Sequence, residues 1–486
     1  MTAAVTTTHP VLSELRSLLG AGNVISSPDE LIVYECDGFT IPRAAPLAVV
    51  FPTNTRELSE AVKLLARHKL PIMARGAGTG LVGGTTPIIP AVQISTAKMR
   101  TIHTLDVRNR YALVDAGVPN LALSTALANT PYHFAPDPSS QRASTIGGNV
   151  ATNAGGLHTL KYGVTVNHIL GVEIVREDGS IHQLGGPFGH DIGPDLTGLL
   201  CGTEGTLAII TRVWCRLTPK PKAFRTALAV YNTSRDATNT VAGIIAAGIT
   251  PAALEMLDGV FIKVVEDAFH LGFPTDAQAM LLIEVDGVDI PIDGHTSLDA
   301  EMIEIERIAQ ANNARTFEAS ADEKKRDQLW LARRKAFGTL GRLNLSHCTQ
   351  DSCVPRSKLP EVLEEIGRIC RKYDLFVTNC FHAGDGNVHP ALCFDESNPD
   401  HVRRVIEASG EIVHYCVSVG GSVTGEHGVG IEKMAYMHFM YSPEDIALMH
   451  SIRKSFSPED RMNPFKVLPR EGVTIDLVHP CRNVSQ

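Results

Sequence analysis

The sequence predicts a mixed α+β protein, with a first domain organised around glycine-rich loops and a second domain of alternating strands and helices. Its 486 residues are enough for roughly two or three domains. The 41 glycines are an ordinary share for that length, but they gather in a few short runs. Near residue 220 the texture changes from glycine runs between short strands to a regular strand–helix alternation.

The elements follow in order. Residues 47–51 are a short apolar run and read as a strand. Asn54 and Glu57 then have capping-box spacing, and Leu58, Val62 and Leu65 repeat at helical spacing. Residues 71–74 form a second strand, followed at once by R75-G-A-G-T-G-L-V-G-G. A second small-residue run is S144-T-I-G-G-N-V-A-T-N-A-G-G. A third is C201-G-T-E-G-T-L-A-I-I, where residues 207–210 open another strand. P219-K-P-K reads as a linker, since two prolines interrupt any helix or ladder. Beyond it, residues 226–231, 280–285, 375–381 and 388–394 read as strands, the last two joined by the turn A383-G-D-G-N. Residues 300–311, 358–372 and 401–417 read as helices, the last ended by Gly420-Gly421. The stretch from about 470 reads as an irregular tail.

Composition excludes several classes. The formal charge is −9 and no Lys/Arg run appears, so no nucleic-acid partner is expected. The ten cysteines are scattered without a C-x-x-C pair, which fits small core residues in a reducing cytoplasm better than a disulfide framework. The N-terminus lacks a basic start followed by an apolar core and does not read as a signal peptide. The most lipid-like stretch, residues 240–257, is broken by Gly243, Gly248, Pro251 and Glu255, so no transmembrane segment is expected. A cytoplasmic protein is the expectation, and peripheral membrane association is compatible with it.

Gly78-x-Gly80-x-x-Gly83 satisfies the dinucleotide pattern G-x-G-x-x-G. A Rossmann site needs a long helix directly afterwards, whose N-terminus holds the pyrophosphate. Pro87 and Pro90 argue against that helix. The better account is a pyrophosphate clasped by two loops, at 75–84 and 144–156, through backbone N–H groups that glycine leaves accessible. Arg75 is a candidate phosphate contact, although a lone Arg is more often a surface cation.

A74-R-G-A-G-T-G-L-V-G-G, A135-P-D-P-S-S-Q, I146-G-G-N-V-A-T-N-A-G-G and G202-T-E-G-T-L together resemble the flavin-binding domain of the vanillyl-alcohol oxidase / p-cresol methylhydroxylase (PCMH) superfamily. The resemblance implies a PCMH-type FAD-binding domain; some members attach FAD covalently through His or Cys, and with no equivalent here noncovalent FAD is expected. Matching positions imply cofactor contacts by Arg75, Gly76, Ala77, Gly78, Thr79 and Gly80, then Pro136, Asp137 and Ser140. They continue with Gly147, Gly148, Asn149, Thr152, Ala154 and Gly155, and end with Glu204 and Ile210. M462-N-P-F-K is similar to a run that the family places near the flavin, which adds Asn463.

In the second half, F381-H-A-G-D-G-N-V-H sets His382 and His389 on either side of a Gly-Asp-Gly turn, where a hairpin lets them face each other. G421-S-V-T-G-E-H-G-V-G supplies Glu426 and His427. Two histidines and a carboxylate suit a divalent metal, with zinc, manganese and iron all open. Adjacent side chains of an extended segment point opposite ways, so Glu426 goes to the metal and His427 to proton transfer. Arg333 and Arg334 lie on a predicted helix; taken alone they read as a solvated basic face.

The set resembles the FAD-linked 2-hydroxy-acid dehydrogenases, which include D-lactate dehydrogenase, D-2-hydroxyglutarate dehydrogenase and the FAD subunit of glycolate oxidase. The last is the closest in pattern, through Y34-E-C-D-G, A253-L-E-M-L-D and the motifs above. N344-L-S-H-C-T-Q-D-S-C-V-P-R departs from that pattern. The resemblance covers about residues 25–470 and implies that Arg333, in L-W-x-x-R, binds a substrate carboxylate, with Arg334 as the second choice. It implies oxidation of a small 2-hydroxy acid, glycolate or D-lactate, to the 2-oxo acid, with His427 as base and hydride passing to flavin N5. It also implies flavin and iron–sulfur partner subunits of a glycolate oxidase complex. A longer D-2-hydroxy acid is the alternative substrate. An alkylglycerone-phosphate synthase-like transferase and a non-catalytic flavin electron-transfer subunit are the alternatives of other classes. The expected domains are 1–221 for FAD, 222–425 for an α/β (ferredoxin-like) substrate/cap domain with the metal site, 426–470 for a C-terminal segment returning to the flavin domain, and 471–486 for a tail.

Overall fold

A computed structural model describes residues 9–189, 193–292, 294–343 and 345–480. Asn344, the first residue of the departing stretch, lies outside the described residues, as do the first eight residues and the last six of the expected tail. The chain divides into two compact units. One takes the described residues up to Ala154, then Val164–Pro219 and those from His427 onward; the other takes Gly155–Gly163 and Lys220–Glu426.

In the first unit, strands Val24–Ile25, Ala48–Val50, Val92–Ser95 and Ile72–Arg75 form a sheet in that order, with the last three parallel. Helix Thr55–Arg67 connects two of them, and its buried stripe of Leu58, Ala61, Val62 and Leu65 packs in one cluster with Leu12 and Leu15 of helix Pro10–Leu19. Asn54 caps the helix by accepting the Glu57 N–H at 3.0 Å. The expected capping box is only half made: the Glu57 carboxylate accepts from the Thr53 N–H at 2.8 Å, one residue further back. A second sheet is antiparallel throughout, in the order Ile102–Asp106, Tyr111–Asp115, Ile209–Arg216, Ile169–Val175, Ile181–Gly185.

The run 144–156, expected as a loop, contains helix Ile146–Thr152. Thr145 accepts the Gly148 N–H at 3.2 Å, and Asn153 ends the helix in the left-handed region at φ 51°. The cap and the left-handed stop overcome two helical glycines. No long helix follows Gly83, as the two prolines require. Far along the chain, helix Pro443–Phe456 is followed by a turn that returns to the first sheet, where Asn463 donates its N–H to the Ile72 carbonyl at 2.7 Å.

In the second unit seven of the described strands form one antiparallel sheet. Their order is Thr316–Ser320, Ala223–Tyr231, Ala279–Gly287, Ala253–Asp258, Phe376–Phe381, Pro390–Phe394, Ser346–Thr349. The first four have the ferredoxin-like order, with helix Gly259–Phe269 added before Ala279–Gly287. Strand Ala279–Gly287 is buried along almost its whole length, as expected for a strand covered on both faces. One cover is the cluster of Phe261, Val265, Trp330 and Ala336 over Leu257, Met280 and Leu282. The lipid-like stretch 240–257 is divided between helix Ser234–Ala246 and strand Ala253–Asp258. Among the described residues, no helix is long and apolar enough to cross a membrane. The nine described cysteines form no disulfide with one another, and Cys215, Cys348, Cys370, Cys380, Cys393 and Cys416 are buried.

Candidate active site

The predicted cofactor loops lie in the first unit, apart from Gly155, which begins the excursion belonging to the second. Arg75 ends its strand and spends its guanidinium on the Cys36 carbonyl at 3.0 Å and the Thr85 hydroxyl at 3.1 Å. It also covers Gly78, which sits at φ +70°; Gly76 lies so close to Thr145 that a Cβ would come within 2.6 Å of its hydroxyl. Ala77, Thr79 and Gly80 continue this turn, where the Gly80 carbonyl accepts from the Gly38 N–H at 2.7 Å. A Cβ on Gly147 would meet Ala116 at 2.5 Å. Thr145, Arg75 and Ala116 thus pack directly onto Gly76, Gly78 and Gly147, an approach that only glycine permits at these positions. Gly148 gives its N–H to the Thr145 cap, and Thr152 donates its hydroxyl back to the Gly148 carbonyl at 3.3 Å. Asn149 is 3 % exposed, and its Nδ2 has no hydrogen-bond partner among the described residues. Such a donor suits a polar ligand atom.

Pro136 is buried and its carbonyl accepts from Asn120 at 3.0 Å, while Asp137 and Ser140 are half-buried on the turn that follows. The Ala154 carbonyl accepts the Thr165 hydroxyl at 2.7 Å. Ile210 is a sheet residue whose side chain belongs to the apolar core of this unit. Glu204 does something the motif did not suggest. Its carboxylate accepts from the backbone N–H of Val429 at 2.7 Å and of Gly430 at 3.0 Å. It thus holds the segment that opens with His427. Burial pushes the Glu204 carboxyl up to about 7, against the opposing pull of those two N–H groups. Asn463 donates to the carbonyls of Glu204 at 2.7 Å and Gly84 at 3.1 Å, so three distant stretches meet there.

The second unit gathers His382, His389 and Glu426. Their ligand atoms all lie within 4.8 Å of one another. His382 follows strand Phe376–Phe381, and a tight turn over Ala383–Asp385 reverses the chain, with Gly386 in the left-handed region at φ +73°. His382 bridges to Asn387, so His389 sits on the diagonal rather than directly opposite. The ring centroids are 5.1 Å apart. His389 also interrupts the expected strand 388–394 into Asn387–Val388, which pairs with Ser352–Cys353, and Pro390–Phe394. The Nε2 atoms of His382 and His389 lie 3.0 Å and 3.2 Å from Glu426 Oε1.

Two further carboxylates stand behind this group, and the sequence motifs passed over both. Glu255 accepts from His382 Nδ1 at 2.7 Å. Asp351, fully buried, accepts the Gly425 N–H at 2.8 Å and the Glu426 N–H at 3.1 Å, with His389 Nδ1 3.8 Å away. Its place in the departing stretch gave no signal. For Glu255 the signal was a carboxylate within the apolar run 252–257. Arg333, on helix Glu323–Thr339, is 3 % exposed and pairs with Glu255 at 2.6 Å. The solvated basic face expected of Arg333 and Arg334 fails for Arg333, which is buried, and Arg334 is half-buried.

The electrostatics follow from this crowding. Burial opposes charge on all three groups, but Arg333 and His382 together hold the Glu255 carboxyl below its usual range. His382 and His389 hold Glu426 well below it. The Glu255 and Glu426 carboxylates hold the His382 imidazole well above its usual range despite burial. A cation at Nε2 would take the place of that proton. The donor set of two imidazoles and one carboxylate, buried and convergent, fits a divalent metal. Arg333 Nε is buried without a hydrogen-bond partner among the described residues, which leaves it a donor for an anionic ligand.

Two family descriptions match the chain: the C-terminal domain of FAD linked oxidases over residues 220–467, and the FAD binding domain over 46–185. The chain belongs to the FAD-linked oxidase family. It is 40 % identical over 459 residues to the glycolate oxidase subunit GlcD of Escherichia coli K12, covering 94 % of this chain and 91 % of that one. It is 33 % identical over 430 residues to a D-lactate dehydrogenase of Archaeoglobus fulgidus, covering 88 % and 93 %. Among solved structures, p-cresol methylhydroxylase with substrate bound superposes with a TM-score of 0.77 at 18 % identity, covering 93 % and 95 %. That likeness speaks for the fold alone.

Proposed function

We propose that this protein oxidises a small 2-hydroxy acid, glycolate or D-lactate, to the 2-oxo acid with FAD as electron acceptor. The observation that carries the reading is the convergence of His382, His389 and Glu426 in the unit that also buries Arg333. When bound, FAD would supply the hydride acceptor, and a divalent metal would supply Lewis acidity toward the 2-hydroxyl. Arg333 receives the substrate carboxylate through its planar fork. His427, next in sequence to Glu426, takes the hydroxyl proton. His382, His389 and Glu426 would hold the metal. The 75–80 turn, the 146–152 helix and Asn149 would hold the flavin.

Two relatives differ in the acid that their names carry, so the substrate is to be settled by assay. The purified holoprotein is mixed anaerobically with glycolate, D-lactate, L-lactate and D-2-hydroxyglutarate, and flavin bleaching at its visible band is followed. Bleaching by glycolate or D-lactate is expected, with His427→Ala slowing reduction by about 100-fold or more while FAD is retained. No bleaching by any acid would overturn the reading. Near-normal reduction in His427→Ala would remove that residue as base. The reading includes cytoplasmic flavin and iron–sulfur partner subunits that take the electrons onward, which co-purification from the native host tests.

A further inference from the structure

Arg333, Glu255 and His382 form one continuous chain of charge. Arg333 meets Glu255 Oε2 at 2.6 Å, and Glu255 Oε1 accepts from His382 Nδ1 at 2.7 Å. All three side chains are at most 6 % exposed, so water screens none of these contacts. Strand register builds this arrangement: Met256 pairs with Phe381, which carries Glu255 alongside His382. Because Nδ1 is committed to Glu255, the imidazole is fixed with Nε2 turned toward Glu426.

We propose that Glu255 is a positioning residue that couples binding of the substrate carboxylate to binding of the metal. The inference rests on the reading above for Arg333 and His382. In the free protein Glu255 divides its charge between the guanidinium and the imidazole. A carboxylate ligand arriving at Arg333 competes for the guanidinium, and it has the unpartnered Nε as a point of entry. Glu255 then serves His382 alone and makes Nε2 a stronger donor. Coupling between two ligands is reciprocal, so metal binding tightens carboxylate binding by the same factor.

The test uses FAD-loaded, zinc-loaded protein and propionate, which has the carboxylate but no hydroxyl to oxidise. Zinc retention is titrated against EDTA with and without saturating propionate and read by metal analysis. In the unmodified protein, propionate is expected to tighten zinc by about 5-fold or more. Glu255→Gln should weaken zinc by about 10–100-fold and abolish the propionate effect. Arg333→Met should abolish the propionate effect while leaving Glu255 to His382. Glu255→Asp, which keeps the charge, provides the same readout if the glutamine variant does not fold, and should give a weaker effect. A propionate effect that survives in Glu255→Gln or Arg333→Met, or that is absent from the unmodified protein, overturns the coupling. Full zinc retention by His382→Ala would instead overturn the underlying metal reading.

Discussion

Arg333 and Glu255 lie 2.6 Å apart and almost entirely out of water. Removing one member of such a buried pair leaves the other charge uncompensated, at a cost of about 3–5 kcal/mol. Arg333→Met is therefore expected to lower stability by roughly 3 kcal/mol, tempered by the neighbouring imidazole, and to raise KM for the hydroxy acid by about 100-fold or more. Denaturant unfolding and steady-state kinetics check the two parts. An unchanged KM would take the substrate carboxylate away from Arg333.

Gly155 offers a separation of two roles. The flavin motif assigns it to the cofactor, yet an added Cβ would run into the Glu426 carboxylate and within 3.0 Å of the Thr159 hydroxyl. Gly155→Ala is expected to reduce bound metal by about 10-fold or more, with most of the FAD retained. Metal analysis beside the flavin spectrum decides it. Loss of FAD with metal intact would return Gly155 to the cofactor.

Glu204→Ala leaves the Val429 and Gly430 N–H groups buried without their acceptor. Each such donor costs about 1–3 kcal/mol, and the segment opening with His427 loses its tether. The expected result is a lowered melting temperature and a kcat reduced by about 10-fold or more with KM little changed, since the proposed proton acceptor His427 is displaced rather than the proposed anion anchor Arg333. Glu204→Gln, which keeps one acceptor oxygen, should recover part of both. Equal damage from Ala and Gln would argue against a tether.

Acid sensitivity should trace in part to Glu284. This carboxylate is fully buried and accepts from Trp330 Nε1 at 2.6 Å, from Arg326 Nη2 and Nε at 2.6 Å and 2.7 Å and from the Thr226 hydroxyl at 3.0 Å, with His158 Nε2 3.6 Å away. Burial raises its pKa, but hydrogen bonds from His158 and Arg326 more than offset that and hold it at about 2. The folded value is below the ordinary 4.5. Its stabilisation is thus complete above that pH and is lost as pH falls toward 2. The full effect is about 3 kcal/mol. Glu284→Gln should remove this part of the pH dependence in unfolding measured between pH 6 and pH 3. A parallel profile in the variant would refute it.

The sequence named most of the residues that carry chemistry because they sit in short, dense motifs. H-A-G-D-G-N-V-H and G-E-H-G are legible as strings, and the structure draws His382, His389 and Glu426 together. What escaped was set by pairing across the sheet. Nothing near Glu255 in the chain says that Met256 will face Phe381, and that register alone makes Glu255 a neighbour of His382. Asp351 escaped for a similar reason, since its partners come 74 and 75 residues later. The helix Ile146–Thr152 was hidden by its glycines, which mask the Thr145 cap and the left-handed stop at Asn153. The alternation of strands and helices in the second unit was legible, whereas the antiparallel strand order and the split of strand 388–394 at His389 were not, because neither a pairing partner nor a mid-strand side chain turned to a site leaves a periodic trace.

The division of the chain into units also bears on how the protein is made. Residues 155–163 belong with strands that begin some sixty residues later, and Lys161 and Tyr162 close onto Asp286. The first unit in turn lacks Met462 and Asn463 against Ile72 until its last segment emerges. Translation at about 5–20 residues per second separates Pro219 from His427 by roughly 10–40 s. During that interval the nascent first unit holds an unfilled edge beside Ile72, so neither unit can be finished on the ribosome before the other is well under way.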